Sequence, residues 1–161
     1  MKHLPKHLRP RWRYLGVGIE TWPGASIGRR DFQRAIWYAA GNLLGDPGSA
    51  DADLSVLSFT HDEAAGEGEA VVRVRRGHVS PARAAIACIA TIEDEQVGVS
   101  VRGVSGTVRA CEERYMGRAG RPAEQRHVAF EGADRPAVVR GDAVDVSAES
   151  GHVGATRLDL E

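Results

Sequence analysis

Apolar positions along this chain alternate, then recur at helical spacing, and the switch repeats. Between Trp12 and Glu20, Leu15, Val17 and Ile19 share one face while Trp12, Tyr14, Gly16 and Gly18 share the other, the period of a half-buried strand. The second face sets an aromatic beside bare glycine backbone, which leaves room for something to approach. From about Arg30 to Leu44 the period becomes helical. Phe32, Ile36, Ala39, Ala40 and Leu43 form one stripe, Trp37 and Leu44 form a second apolar line, and Gly45 with Pro47 marks a stop. Leu54–Phe59 predicts a short strand, followed by an acidic loop over Thr60–Glu69. Ala70–Arg76 predicts another strand, with Val72 and Val74 opposite Val71, Arg73 and Arg75. Ser80-Pro81 supplies a side-chain cap and a residue with no amide hydrogen to leave unpaired. That helix should run to about Ile92 and present Ala82, Ile86, Ile89 and Ala90. Val97–Val104 predicts a last strand with Ser100 and Arg102 outward, and a final helix begins near Thr107.

The order strand, helix, strand, strand, helix, strand fits an α+β two-layer sandwich. An antiparallel βαββαβ sheet of ferredoxin-like or RNA-recognition-motif-like topology carries its helices on one face. The other face is left to solvent, a partner or RNA. This core is expected over residues 1–116, with an extra C-terminal helix. Residues 117–161 form a C-terminal extension of short strands or partly disordered chain, because Gly117, Gly120 and Pro122 break the pattern before alternation returns at Val128–Phe130, Val138–Arg140 and Val144–Val146.

Charge refines this picture through its distribution. The formal net charge is −1, which carries no nucleic-acid signal. Yet residues 1–14 hold Lys2, Lys6, Arg9, Arg11 and Arg13 without an acid, whereas 46–69 hold seven acids without a Lys or Arg. Both lysines lie in the first six residues, so every later base is arginine, whose planar fork suits bidentate phosphate contact. Cys88 and Cys111 are isolated. Cys88, within an Ala/Ile run, is expected in the core. No signal peptide and no apolar run of spanning length is present, so a cytoplasmic protein with reduced thiols and no membrane contact is expected.

Three constellations could carry function. Val104-Ser105-Gly106-Thr107-Val108-Arg109 ends a strand, turns on glycine and opens a helix, a ready anion pocket or simply a capped helix. Tyr14, Arg73, Arg75 and Arg102 should project from one sheet face, an aromatic among arginines that suits irregular RNA. The basic arm from Lys2 to Arg13, kept from helix by Pro5 and Pro10, could lie along an RNA groove. Conventional catalysis is not indicated. The histidines lack metal-ligand spacing, and no GxSxG, HExxH, P-loop or GxGxxG occurs. No catalytic or metal-binding residue is therefore expected. Glu93-Asp94-Glu95 could hold Mg2+ but fits a solvated turn better.

The arm Leu4-Pro5 to Arg13-Tyr14-Leu15, the segment Val72-Arg73-Val74-Arg75-Arg76 and Val104-Ser105-Gly106-Thr107-Val108-Arg109 occur in that order. Together they resemble the archaeal ribonuclease P protein component 2 family, whose eukaryotic relatives sit in nuclear ribonuclease P and MRP. The likeness covers roughly residues 1–116, and the extension is similar to one seen in salt-loving archaea. It implies an RNA-recognition-motif-like subunit that assembles with ribonuclease P RNA, ribonuclease P protein component 3 and the other protein subunits. The RNA, with Mg2+, hydrolyses precursor tRNA to remove the 5′ leader, and the protein binds no cofactor itself. Endonuclease activity then belongs to the ribonucleoprotein. The matched segments carry Arg9, Arg11, Arg13, Arg73, Arg75, Arg76, Ser105, Gly106, Thr107 and Arg109 as RNA-contact candidates. Tyr14 and Arg102 join them from the sheet-face pattern, and the Trp37/Leu44 line is a candidate protein–protein surface. Two rivals remain: a ferredoxin-like small-molecule-binding regulatory domain, and a scaffold that touches only protein.

Overall fold

The computed structural model describes residues 3–117 and 123–160. Strands β1 (Trp12–Thr21), β2 (Ser55–Asp62), β3 (Glu67–Arg75), β4 (Thr91–Ile92) and β5 (Glu95–Ser105) form one antiparallel sheet in the order β2-β3-β1-β5-β4. Helices α1 (Arg29–Ala52) and α2 (Val79–Ala87) pack on one face, and α3 (Val108–Tyr115) follows β5. With the short β4 set aside, this is the ferredoxin-like α+β arrangement that the alternating periods imply. Leu15, Val17 and Ile19 of β1 and Val72 and Val74 of β3 meet Phe32, Ile36 and Ala40 of α1 and Ala82, Ala85 and Ile86 of α2 in the main core.

Several boundaries differ from the sequence expectation, each for a local reason. Helix α1 does not stop at Gly45. The chain kinks there (φ 73°, ψ 169°) and a second helical segment follows with Pro47 in it, in its first turn, where a missing amide hydrogen costs nothing. Leu44 packs on the core and Leu43 is exposed, so the inward line runs Ile36, Ala40, Leu44. The acidic stretch Thr60–Glu69 is not a loop. It is a tight hairpin in which Asp62 pairs with Glu67 across the turn. Helix α2 starts at Val79 with His78 as its N-cap, and Ser80 makes no capping bond. It ends at Ala87, which leaves Cys88 exposed. A two-residue hairpin then joins β4 to β5, with Glu93 (φ 47°) and Asp94 (φ 69°) in left-handed conformations of the kind that suits hairpin twist.

Helix α1 also guards the edge of the sheet. Trp37 Nε1 donates to the Leu54 carbonyl at 2.8 Å, Arg29 donates to the Val56 carbonyl at 2.7 Å, and Val56 N donates to Gln33 Oε1 at 2.7 Å. These bonds engage groups at the start of the otherwise exposed strand β2. Of the Trp37/Leu44 line, Leu44 packs on the core, whereas Trp37, tethered at Nε1, remains 53% exposed.

The C-terminal stretch forms a second antiparallel sheet, β6 (Glu124–Phe130), β7 (Ala133–Arg140), β8 (Ala143–Ala148) and β9 (Gly151–Thr156), in sequential order. It has its own core of Val128, Phe130, Ala137, Val139, Val144 and Val146.

Candidate nucleic-acid interface

Strand β1 sets the register of the outer sheet face. Trp12 pairs with Arg75, Tyr14 with Arg73, Gly16 with Val71, Gly18 with Glu69 and Glu20 with Glu67 on β3. On the other side, Tyr14 pairs with Ser105 and Gly16 with Gly103. Tyr14, Arg73 and Arg75 thus share one face, as alternation requires. The face is not open along its length, however. A Cβ at Gly103 would lie 2.1 Å from Tyr115 Cζ, and one at Gly16 would lie 2.6 Å from Tyr115 Cβ. The bare glycine backbone is the seat of the chain's own α3. Cys111 is buried on the same side of that helix, four residues before Tyr115.

Helix α3 therefore divides the outer face. At the near end, the Arg73 guanidinium lies 4.0 Å from the centroid of the Trp12 ring, and Arg75 lies 5.6 Å from it. Arg75 also sits 3.6 Å from Asp53. The basic arm crosses this corner with a single 3-10 turn at Lys6–Leu8. Arg9 Nε donates to the Leu4 carbonyl at 2.6 Å, Arg13 donates to the Trp12 carbonyl at 3.0 Å, and Arg76 N donates to the Arg11 carbonyl at 2.8 Å. Among the described residues no carboxylate pairs with Arg9, Arg11, Arg13, Arg73 or Arg76. These cations have no internal neutralisation, and a polyanion can supply it.

The far end is the reverse. Arg102, in the bulged part of β5, lies over Gly18 and pairs with Glu69 at 2.7 Å, while also donating to the Tyr115 carbonyl at 2.8 Å. It is on the same face as Tyr14 but is already engaged. Arg140 of β7 is 6% exposed. It donates to Asp145 at 2.6 Å and to the Thr21 carbonyl at 3.0 Å, with Glu67 at 3.7 Å. A cavity of about 750 Å3 lies here, lined by Glu20, Glu67, Glu69, Arg102 and Arg140 among others. Partial burial pushes the Glu20 carboxyl above its ordinary range, and Arg140 offsets part of that. Burial also lowers the pKa of His61, whose Nε2 lies 3.1 Å from Thr21 Oγ1.

The turn into α3 is only partly free. Thr107 Oγ1 accepts from Ala110 N at 3.1 Å, so it caps the helix. Ser105 Oγ is buried without a partner, Gly106 is exposed, and Arg109 pairs with Glu113 at 3.0 Å on the solvent side. Sequence reasoning placed Trp12 on this face but did not name it as functional. Its directly opposed partner Arg75, and Arg73 two residues before that, were the available signal. No group of three or more His, Cys, Asp or Glu that could hold a metal occurs among the described residues. No helix there is long and apolar enough to cross a membrane.

Residues 13–116 match the model of the Rpp14/Pop5 family. Over 161 residues the chain is 71% identical to ribonuclease P protein component 2 of Halorubrum lacusprofundi, with 100% of each covered. It is 62% identical over 162 residues to the protein of that name from Haloarcula marismortui, covering 99% of both. Against ribonuclease P protein component 2 of Methanosarcina mazei, identity is 31% over 116 residues, which is 72% of this chain and 93% of that relative. The alignments with the first two cover the stretch that forms the second sheet.

Proposed function

Because the chain belongs to the Rpp14/Pop5 family, we propose that it is a protein component of ribonuclease P that grips the catalytic RNA through the near end of its outer sheet face. The observation that carries this reading is that Arg73, stacked on Trp12 on the outer face, has no carboxylate partner among the described residues, and neither do Arg9, Arg11, Arg13 and Arg76 along the same end of the sheet, where the register turns Arg13 with Val74 toward the other face. The neutralised arginines Arg102 and Arg140 lie at the other end. Each phosphate engaged by the near end adds ~0.7 to ~0.9 to the salt-dependence slope of binding. Arg75, Tyr14 and the turn Ser105-Gly106-Thr107 border the grip, and Arg109 reaches it only by leaving Glu113. The protein holds the RNA fold, and the RNA with its Mg2+ cleaves the 5′ leader from precursor tRNA. In this reading the chain works in the cytoplasm beside ribonuclease P protein component 3 and the other protein subunits, and contributes no catalytic group.

Reconstitution tests the role. Ribonuclease P RNA, assembled with all protein partners at limiting Mg2+, should cleave precursor tRNA faster with this chain than without it. Unchanged cleavage on omission overturns the proposal.

A further inference from the structure

Arg73 is anomalous among the arginines of the outer face. Like Arg75 it is half-buried with a buried, unpartnered Nε, but unlike Arg75 and Arg102 it has neither a carboxylate nor a carbonyl that accepts from it among the described residues. A half-desolvated cation normally finds a counter-charge. Here it finds the face of Trp12, at 4.0 Å. Stacking on an aromatic ring stabilises a guanidinium without occupying its donors. The free edge of the fork is thereby left fixed in direction.

Building on the RNA-binding reading above, we infer that Arg73, held on the indole of Trp12, is a preformed seat for one RNA phosphodiester, and that Trp12 is its positioning residue. A guanidinium fork matches two phosphate oxygens at once, and pre-ordering it removes the loss of side-chain freedom that an exposed arginine incurs on binding. Arg75, 5.6 Å from the same ring, adds positive potential, which Asp53 at 3.6 Å partly cancels. Arg73 is therefore the anchor of the pair. The strand register sets Tyr14 beside Arg73 and Ser105 beyond Tyr14. The nucleotide carrying that phosphate accordingly meets a phenol ring, a surface suited to an unpaired base.

The test is titration of ribonuclease P RNA with the full chain across a range of salt. Arg73→Ala should weaken binding about tenfold and lower the salt slope by ~0.7 to ~0.9, the value of one phosphate contact. Arg73→Lys should keep the slope and still lose about threefold, because a point charge replaces the fork. Trp12→Phe should bind nearly as wild type, whereas Trp12→Leu should lose about fivefold and lose nothing further in the Arg73→Ala background, the non-additivity of a shared contact. Equal unfolding midpoints for wild type and Arg73→Lys establish that the fold is not the cause. An unchanged slope in Arg73→Ala, or additive effects of Trp12→Leu and Arg73→Ala, overturns the inference while leaving RNA binding standing. A wild-type chain without affinity for the RNA overturns the underlying function instead.

Discussion

At one end of the outer sheet face Arg73 lies on Trp12 with no carboxylate beside it among the described residues, and at the other Arg140 is enclosed by Asp145, Glu67 and the carbonyl of Thr21. The two ends share a sheet and a residue type but not a task. A formal net charge of −1 describes neither. What distinguishes them is whether each cation's field is already cancelled within the fold. Where a carboxylate sits at hydrogen-bond distance, arginine is structural; where an aromatic face takes its place, the charge remains available to a ligand. The comparison also assigns the second sheet a role. Arg140 joins it to the end of β1 and to the hairpin before β3, and Gln96 exchanges two 2.6 Å bonds with the backbone of His152. The His152 ring stacks on Trp22 with centroids 4.3 Å apart.

If that division is right, the largest effect on stability comes from the far end. Arg140→Met removes the donor to Asp145 and Thr21 and leaves Glu67 without its buried counter-ion. The expected loss is about 3 kcal/mol, from the charged hydrogen bond to the partly exposed Asp145 together with the bond to the Thr21 carbonyl. Urea unfolding should show it, and a single transition should separate into two as the sheets uncouple. Affinity for ribonuclease P RNA should stay within about twofold, as expected for distant sites. A large loss of RNA affinity would show that the ends are not independent.

The divider between the ends can be moved next. Gly103→Ala places a methyl group 2.1 Å from Tyr115 Cζ and closer than van der Waals contact to its hydroxyl. The ring must shift, at about 1–3 kcal/mol for an overpacked contact. Denaturant titration checks this, and Tyr115→Ala in the same chain should recover part of the loss. RNA binding should fall only to the extent that the Ser105–Thr107 turn moves with α3.

The inner face of this fold was legible because its period is enforced by burial. Leu15, Val17, Ile19, Val72 and Val74 alternate against water, and only one assignment buries them all. The outer face was not legible to the same degree. Gly16 and Gly103 signal that something approaches closely, but a missing side chain does not say whether the visitor is RNA or Tyr115. Arg73 and Arg102 are equivalent in the sequence, because the ion pair that neutralises Arg102 depends on Glu69 arriving from another strand. The second sheet was visible only as scattered alternation. Its register is set by glycine turns such as Gly132 and Gly141, both at positive φ, and its docking by Arg140, which local pattern cannot assign to a partner more than 100 residues away. Trp12 was in view on the correct face, but the stack with Arg73 depends on strand pairing.

The smallest effect probes the far end by pH. The Glu20 carboxyl faces Arg140, Asp145, Glu67 and Arg102, and partial burial outweighs the two cations to raise its pKa above the ordinary 4.5. The folded state then holds a proton that the unfolded chain releases. Stability from this group is fully present below 4.5 and is lost as pH rises through the folded value. At neutral pH the charged Glu20 opposes folding, so Glu20→Gln should raise the unfolding midpoint, by under about 1 kcal/mol for so solvent-accessible a group. Midpoints measured from acid to neutral pH should coincide for the two chains at the acid end and diverge above 4.5. His61 acts in the opposite sense, since its lowered pKa contributes stability above 6.5 that is lost as pH falls, but it is common to both chains and cancels in the difference. In the Arg140→Met background the gain from Glu20→Gln should grow, because the cation that partly offsets the Glu20 charge is gone. An equal gain in both backgrounds would mean that Arg140 exerts its effect through Asp145 and the Thr21 carbonyl alone, and that the far end is held by hydrogen bonds rather than by mutual neutralisation.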